Sequence, residues 1–298
     1  MWIDLLDPDE DEVRKAADVD LHDTVIDRLA KPSEPGDLPR PRLSAQGDYV
    51  FGILLIPRVY EDDSLVSQEL DVIVTPDRLV TVRKTPDGGE PLDLGNLSGV
   101  LCAESTTSAM GLFLIMDEIA EQFLDLIDDF DDDINDLEDN VESWASTRIR
   151  DKISTIRHEI LRVRRSLAPT RDAARSVLDD RVELDHVELF PRDIELRFAD
   201  AYDKLLRATD GLDLSRDLLA GVRDYHQAQV AHDQNEVMKR LTVIASMLLV
   251  PTFIVGLYGQ NLKGSPEFGW ADGYEFSWAV IILTTIGQFI YFKRKRWI

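Results

Sequence analysis

The chain has 298 residues, room for a soluble domain and a membrane part, and its 57 acidic against 33 basic side chains give a formal charge of −24. That balance excludes nucleic acid as a favoured partner, because phosphate binding needs a basic face, whereas divalent cations suit such a surface. The acid is mostly aspartate (39 Asp, 18 Glu) and the base mostly arginine (24 Arg, 9 Lys), which fits a salt-adapted protein; equal stability in dilute and molar salt would contradict that reading.

The lone Cys102 rules out an intramolecular disulfide and fits a reducing compartment. Met1 to Glu12 is acidic, so no signal peptide is expected. Residues 1–104 read as a cytoplasmic α/β domain. Asp9 to Ala17 opens a helix with acidic residues in its first turn. Pro32, Pro35, Pro39 and Pro41 then mark a loop. Tyr49 to Tyr60, Leu70 to Thr75 and Leu79 to Arg83 have strand character, with Pro76-Asp77 as a turn, and Thr85 to Gly99 is rich enough in Gly and Pro to be a loop. No G-x-S-x-G, P-loop, GxGxxG or HExxH motif occurs, so neither an enzyme nor a catalytic cofactor is expected.

Residues 105–188 read as a helical hairpin. Leu112, Ile115, Met116, Ile119, Phe123, Leu126, Ile127, Phe130, Ile134 and Leu137 recur at helical spacing. Between them runs an acidic set from Asp125 to Asp139, either a solvated helix face or a collector of hydrated hard cations. A basic stretch from Arg148 to Arg165 answers it on a second helix, which ends near Pro169 or continues beyond it. Residues 189–236 form the cytoplasmic part of a stalk helix. Pro191 suits its first turn, and Phe198, Tyr202, Leu205, Leu212, Leu219, Val222 and Tyr225 give it one apolar face. From Ile194 to Tyr258 it would measure roughly 98 Å, too long to bury itself in one copy, so copies of the chain are expected to pack around it.

The first membrane span is placed at 237–260. Leu241 to Tyr258 is 18 residues without a charge, about 27 Å as helix. Alternate steps of three and four select Asn235, Met238, Thr242, Ala245, Leu249, Thr252, Gly256 and Gly259, a polar and small-residue seam on one face. Such a seam faces either a neighbouring helix or water. Pro251 removes one backbone hydrogen bond from this span. An extracellular loop at 261–275 leads to a second span at 276–293, read as lipid-facing, with Thr284, Thr285 and Gln288 able to touch a neighbour. Residues 294–298 form a basic cytoplasmic tail. Lys239 and Arg240 before the first span and Lys293 to Arg296 after the second place both termini in the cytoplasm of a multi-pass plasma-membrane protein.

At the end of the first span the chain resembles the CorA family of magnesium and cobalt transporters. That family closes its first membrane helix with Tyr-Gly-Met-Asn; here the run is Tyr258-Gly259-Gln260-Asn261, with Gln260 in place of methionine. Pro266-Glu267, Trp270, the run Asn235 to Lys239 with Leu241-Thr242, and the basic end Tyr291 to Trp297 extend the likeness, which is strong beyond Asp200 and looser before it.

The resemblance implies a cytoplasmic α+β domain followed by long helices and two C-terminal membrane helices, assembled as a funnel-shaped homo-oligomer, a pentamer. It implies Mg²⁺ (or Co²⁺) influx down the membrane potential. Gly259, Gln260 and Asn261 then form the selectivity filter, with Pro266, Glu267 and Trp270 in the extracellular loop. Asn235, Met238, Leu241, Thr242, Ala245, Leu249, Thr252 and Gly256 line the pore, Met238, Leu241 and Leu249 as its apolar constriction. Asp224 sits at the cytoplasmic mouth. Regulatory Mg²⁺ would bind between copies at Asp200, with Asp27 the nearest partner carboxylate; Arg28 occupies the position where that carboxylate is expected. Gln260 either adds an amide near the filter or points into the loop.

Two rivals stand beside this reading. One is a zinc or other transition-metal transporter of the same family. His226 and His232 are six residues apart, poor spacing for two ligands on one helix, and all five histidines are read as surface or packing residues. The other is a membrane-anchored oligomeric scaffold, which needs neither Asn261 nor a polar seam.

Overall fold

The computed structural model describes residues 1–32, 39–59, 65–86, 89–103, 106–260 and 272–297. It divides into two units, Met1–Arg223 and Asp224–Ile298. The first opens with β1 (Trp2–Leu6), α1 (Glu10–Ala17), α2 (Asp23–Ala30), β2 (Arg42–Gln46), β3 (Tyr49–Val59), β4 (Leu65–Val74) and β5 (Leu79–Arg83). The strands make one five-stranded sheet in the order β1-β5-β4-β3-β2, with β1 parallel to β5 and every other pair antiparallel. Asp9 caps α1 through a reciprocal box with Glu12.

Side chains alternate between the two faces of the sheet. Phe51, Ile53, Ile73, Val80 and Val82 meet Val13, Val25, Ile26 and Leu29 of α1 and α2. Val50, Leu54, Val72 and Val74 belong to the larger core on the other face, built with α4 (Ser108–Asp139), α5 (Ser146–Leu178) and the first part of α6 (Arg192–Tyr258). All ten apolar positions expected on the first hairpin helix are buried in α4. Phe198 of α6 is completely buried and meets Phe113 and Phe190 edge-on, at ring-centre distances of 6.0 and 5.6 Å.

The structure departs from the sequence reading in a few elements. α2 and β2 were not expected: α2 has no side-chain cap bond at its start, and β2 (RLSAQ) has only one buried residue. The Gly- and Pro-rich stretch read as a loop to Gly99 gives way earlier, because α3 spans Gly95–Leu101. α5 passes through Pro169 to Leu178, with Pro169, Ala173, Ala174 and Val177 buried along that turn. Tyr225, assigned to the apolar stalk face, is exposed, whereas Ala201 and Ala208 complete that face inside the core.

The acidic and basic helices pack together as α4 and α5 and are joined by the ion pair Lys152–Asp133 at 2.8 Å. Asp131 accepts a hydrogen bond from the buried Ser215 hydroxyl of α6 at 2.8 Å. Partial burial, and then the charges of Asp125, Asp132, Asp133 and Asp128, push the Asp129 carboxyl up from its ordinary value. Asp125, Asp128, Asp132, Asp136 and Asp139 are exposed, so this part of the acidic run is a solvated face.

In the second unit, the remainder of α6 is followed by α7 (Gly273–Arg294). Both helices contain an apolar stretch long enough to cross a membrane. Helix α6 is 67 residues long and runs without interruption through Pro251.

Candidate ion-conducting site

Burial along the membrane part of α6 falls on one narrow face. Val243 and Ile254 are buried and Ser246, Met247 and Val250 are half-buried. Opposing them on α7 are half-buried Val280, Ile281, Thr284, Thr285 and Gln288 and buried Phe292. A direct polar link joins the two helices: Gln288 Nε2 donates to the Ser246 carbonyl at 3.2 Å. Asn235, Met238, Leu241, Thr242, Ala245, Leu249, Thr252, Gly256 and Gly259 are all exposed. At 3.6 residues per turn, the polar seam lies on the side of α6 turned away from α7.

The hydroxyls in the seam have a defined polarity. Thr242 Oγ1 donates to the Met238 carbonyl and Thr252 Oγ1 to the Leu248 carbonyl, at 2.8 and 2.7 Å. Each proton is used inside the helix, so each oxygen turns only lone pairs outward. Beyond Tyr258 the backbone continues as a turn, with Gly259 N–H donating to the Val255 carbonyl at 2.9 Å; Gln260 is exposed. Asn261, Pro266, Glu267 and Trp270 lie outside the described residues. Asp224 is exposed on α6.

The expected regulatory carboxylates are placed in the first unit. Asp200 lines a groove of about 620 Å³ with Phe113, Asp117, Asp203, Lys204 and Arg207. Lys204 Nζ lies 2.6 Å from Asp117 and also pairs with Glu121. Burial lowers the Lys204 ammonium, but hydrogen bonds and charge from Asp117 and Glu121 outweigh it and hold the group above its ordinary value. A tethered cation therefore already balances part of this acidic groove. Asp27 is exposed on α2, across the sheet from α6. One copy of the chain does not bring Asp27 and Asp200 together, and no group of three metal-binding side chains occurs among the described residues.

Arg28, beside Asp27, is drawn into a cluster the sequence did not reveal. Its Nη2 pairs with Glu69 at 2.9 Å, Lys84 Nζ pairs with Glu69 at 2.7 Å and Asp71 at 2.9 Å, and Lys84 also donates to the Arg28 carbonyl at 3.0 Å. Asp71 is wholly buried and Lys84 nearly so. Burial, then the Glu69 charge, push the Asp71 carboxyl up to about 7 against the pull of Lys84. Burial would also raise Glu69, but its neighbours Asp71 and Lys84, and the Arg28 charge, hold it below its ordinary value. The cluster ties α2 to the sheet through Arg28, the residue that follows Asp27.

Residues 1–294 match the family described as CorA-like Mg²⁺ transporter protein. The chain belongs to the CorA family of divalent-cation transporters. Within that family it is 29% identical over 187 residues to the cobalt/magnesium transport protein CorA of Thermotoga maritima, a match covering 63% of this chain and 52% of that relative. It is 26% identical over 247 residues, 82% of this chain and 68% of the relative, to the zinc transport protein ZntB of Pectobacterium atrosepticum. The complete CorA magnesium transporter structure from Methanocaldococcus jannaschii superposes on it with a TM-score of 0.80 at 20% identity, covering 100% of this chain and 91% of that one. The CorA fold thus extends over the whole chain, from the α+β domain through the long helices to both apolar C-terminal helices.

Proposed function

We propose that this chain forms a homo-oligomeric channel, a pentamer, that carries Mg²⁺, and Co²⁺ with it, into the cell down the membrane potential. One observation carries the reading: the seam of α6 is exposed along its length and faces away from the only other membrane helix described in the chain. The two membrane helices described in each copy cannot enclose a pore, so further copies must complete it. Mg²⁺ sheds its water reluctantly. Its hydration shell donates outward, and the outward lone pairs of Thr242 and Thr252 suit those donors. Asn261 and Gln260 supply neutral amide oxygens at one end and Asn235 at the other; carboxylates there would hold the ion too firmly for conduction. Between them, Met238, Leu241 and Leu249 make an apolar constriction suited to gating by dewetting.

Both termini lie in the cytoplasm of the plasma-membrane protein, and the chain acts without chemical catalysis or a catalytic cofactor. Regulatory Mg²⁺ binds between copies, Asp200 of one facing Asp27 of another, because the sheet separates the two within one copy. Conduction indifferent to Mg²⁺ on the cytoplasmic side would contradict this regulation. The zinc reading of the same pore keeps the likeness to ZntB in its favour; the histidines give it no ligand set, since His226 is buried and His232 exposed on one helix.

The seam is tested with a Cys102→Ser chain carrying Ala245→Cys, Thr252→Cys, Phe253→Cys or Ile254→Cys in proteoliposomes. A small water-soluble thiol reagent should modify the first two and spare the last two. Protection of all four, or reaction at Phe253→Cys alone, would make the seam a packing surface.

A further inference from the structure

The last turn of α7 has an unusual closure. Arg296 adopts a left-handed conformation (φ 56°), which is unfavourable for a residue with a Cβ. The turn nevertheless closes: Trp297 N–H donates to the Phe292 carbonyl at 3.0 Å, and its ring stacks on buried Phe292 at 5.8 Å and 23°. Tyr291 meets Phe292 edge-on at 5.5 Å. The chain is thereby folded back, with aromatic rings against the end of the span and Lys293, Arg294, Lys295 and Arg296 exposed around them.

These four bases have no ion-pair partner among the described residues, although the chain carries 57 carboxylates. In the first unit, by contrast, Lys84 is paired with Glu69 and Asp71, Lys152 with Asp133, and Lys204 with Asp117 and Glu121. The contact between Gln288 and Ser246 sets the antiparallel helices level. Residues 293–296 lie five to eight positions beyond it, roughly 8–12 Å along the axis, which is the depth of Lys239 and Arg240 on α6. Six bases thus collect at one boundary of the apolar spans, with one of them, Lys239, paired to Glu236 at 2.7 Å. A chain of charge −24 is repelled by a negatively charged leaflet, and this collar is where the sign reverses.

We propose that the turn Lys293–Trp297, with Lys239 and Arg240, is a binding site for the phosphate of anionic phospholipid headgroups. The aromatic stack sits at headgroup depth, as amphipathic rings do, and fixes the cations around it. The proposal rests on the reading that α6 and α7 cross a bilayer, but not on what passes through them.

The test uses the full chain in phosphatidylcholine vesicles containing phosphatidylglycerol, with either the phosphatidylcholine or the phosphatidylglycerol brominated at equal mole fraction. The difference in tryptophan quenching between the wild type and Trp297→Phe isolates the Trp297 signal. Brominated phosphatidylglycerol should quench that signal several-fold more than brominated phosphatidylcholine. The preference should vanish in Lys293→Gln/Arg294→Gln/Lys295→Gln/Arg296→Gln and, for the wild type, in molar salt. Soluble glycerol phosphate at low salt should not displace it; displacement would make the site one for free phosphate. Equal quenching by both lipids in the wild type, or a preference that survives molar salt, overturns the proposal without needing the quadruple variant to fold. Ion uptake in the same vesicles is recorded separately, so a chain that conducts nothing can still show the lipid preference, and the converse.

Discussion

Replacing Lys84 with methionine should cost about 3–5 kcal/mol of folding stability, the usual result of stripping one partner from a buried ion pair. Among the described residues Lys84 is the cation paired with Asp71, which has no exposure to water, and it also serves Glu69 and the Arg28 carbonyl. Methionine fills similar space, so the loss is electrostatic rather than steric. The effect should depend on pH with a defined sign. The Asp71 carboxyl is raised from 3.8 to about 7 on folding, so its contribution to stability is fully present below its unfolded value and is lost as pH rises through about 7. The Lys84→Met penalty, from denaturant titrations of the purified chain, should therefore be larger near pH ~8 than near pH ~5.5. A penalty under about 1 kcal/mol, or one independent of pH, would mean the cluster is better hydrated than its burial implies.

The second large effect belongs to the end of the proposed pore. Asn261→Ala should reduce Mg²⁺ uptake by proteoliposomes at least about ten-fold, the loss of a transition-state interaction of roughly 1.4 kcal/mol. In the proposed pore the amide would supply an oxygen strong enough to accept from the waters around Mg²⁺ and weak enough to release them, and in an oligomer every copy would lose it at once. Thr252→Val, by contrast, should cost only a few-fold, because its oxygen is one of several acceptors along the seam. A variant at Asn261 with unaltered uptake would move the filter elsewhere, with Gln260 the first candidate.

The membrane part was legible because its signals are periodic. Steps of three and four picked out the seam from Asn235 to Gly259, and the same periodicity exposed the buried stripe of α4. The cluster around Asp71 was not legible. Glu69 and Asp71 alternate with Leu70 and Val72, the pattern of a strand with one solvated face. Ile73 on that same face, opposite Val80, was the available sign that helices cover it. Helix α2, which covers that face together with α1, has no capping side chain to announce it. The tethered Lys204 was hidden for another reason: its partners Asp117 and Glu121 lie more than eighty positions away on α4. The fold-back of Trp297 depends on a left-handed arginine, a conformation that sequence reserves for glycine or asparagine.

The most direct measurement is Mg²⁺ uptake by proteoliposomes holding the intact chain, with the potential set inside-negative, zero or inside-positive by a potassium gradient. Uptake should be fast and steepest inside-negative, shrink as the potential is removed and be suppressed when it is reversed. A folded, oligomeric protein that passes no Mg²⁺ at any potential would contradict it.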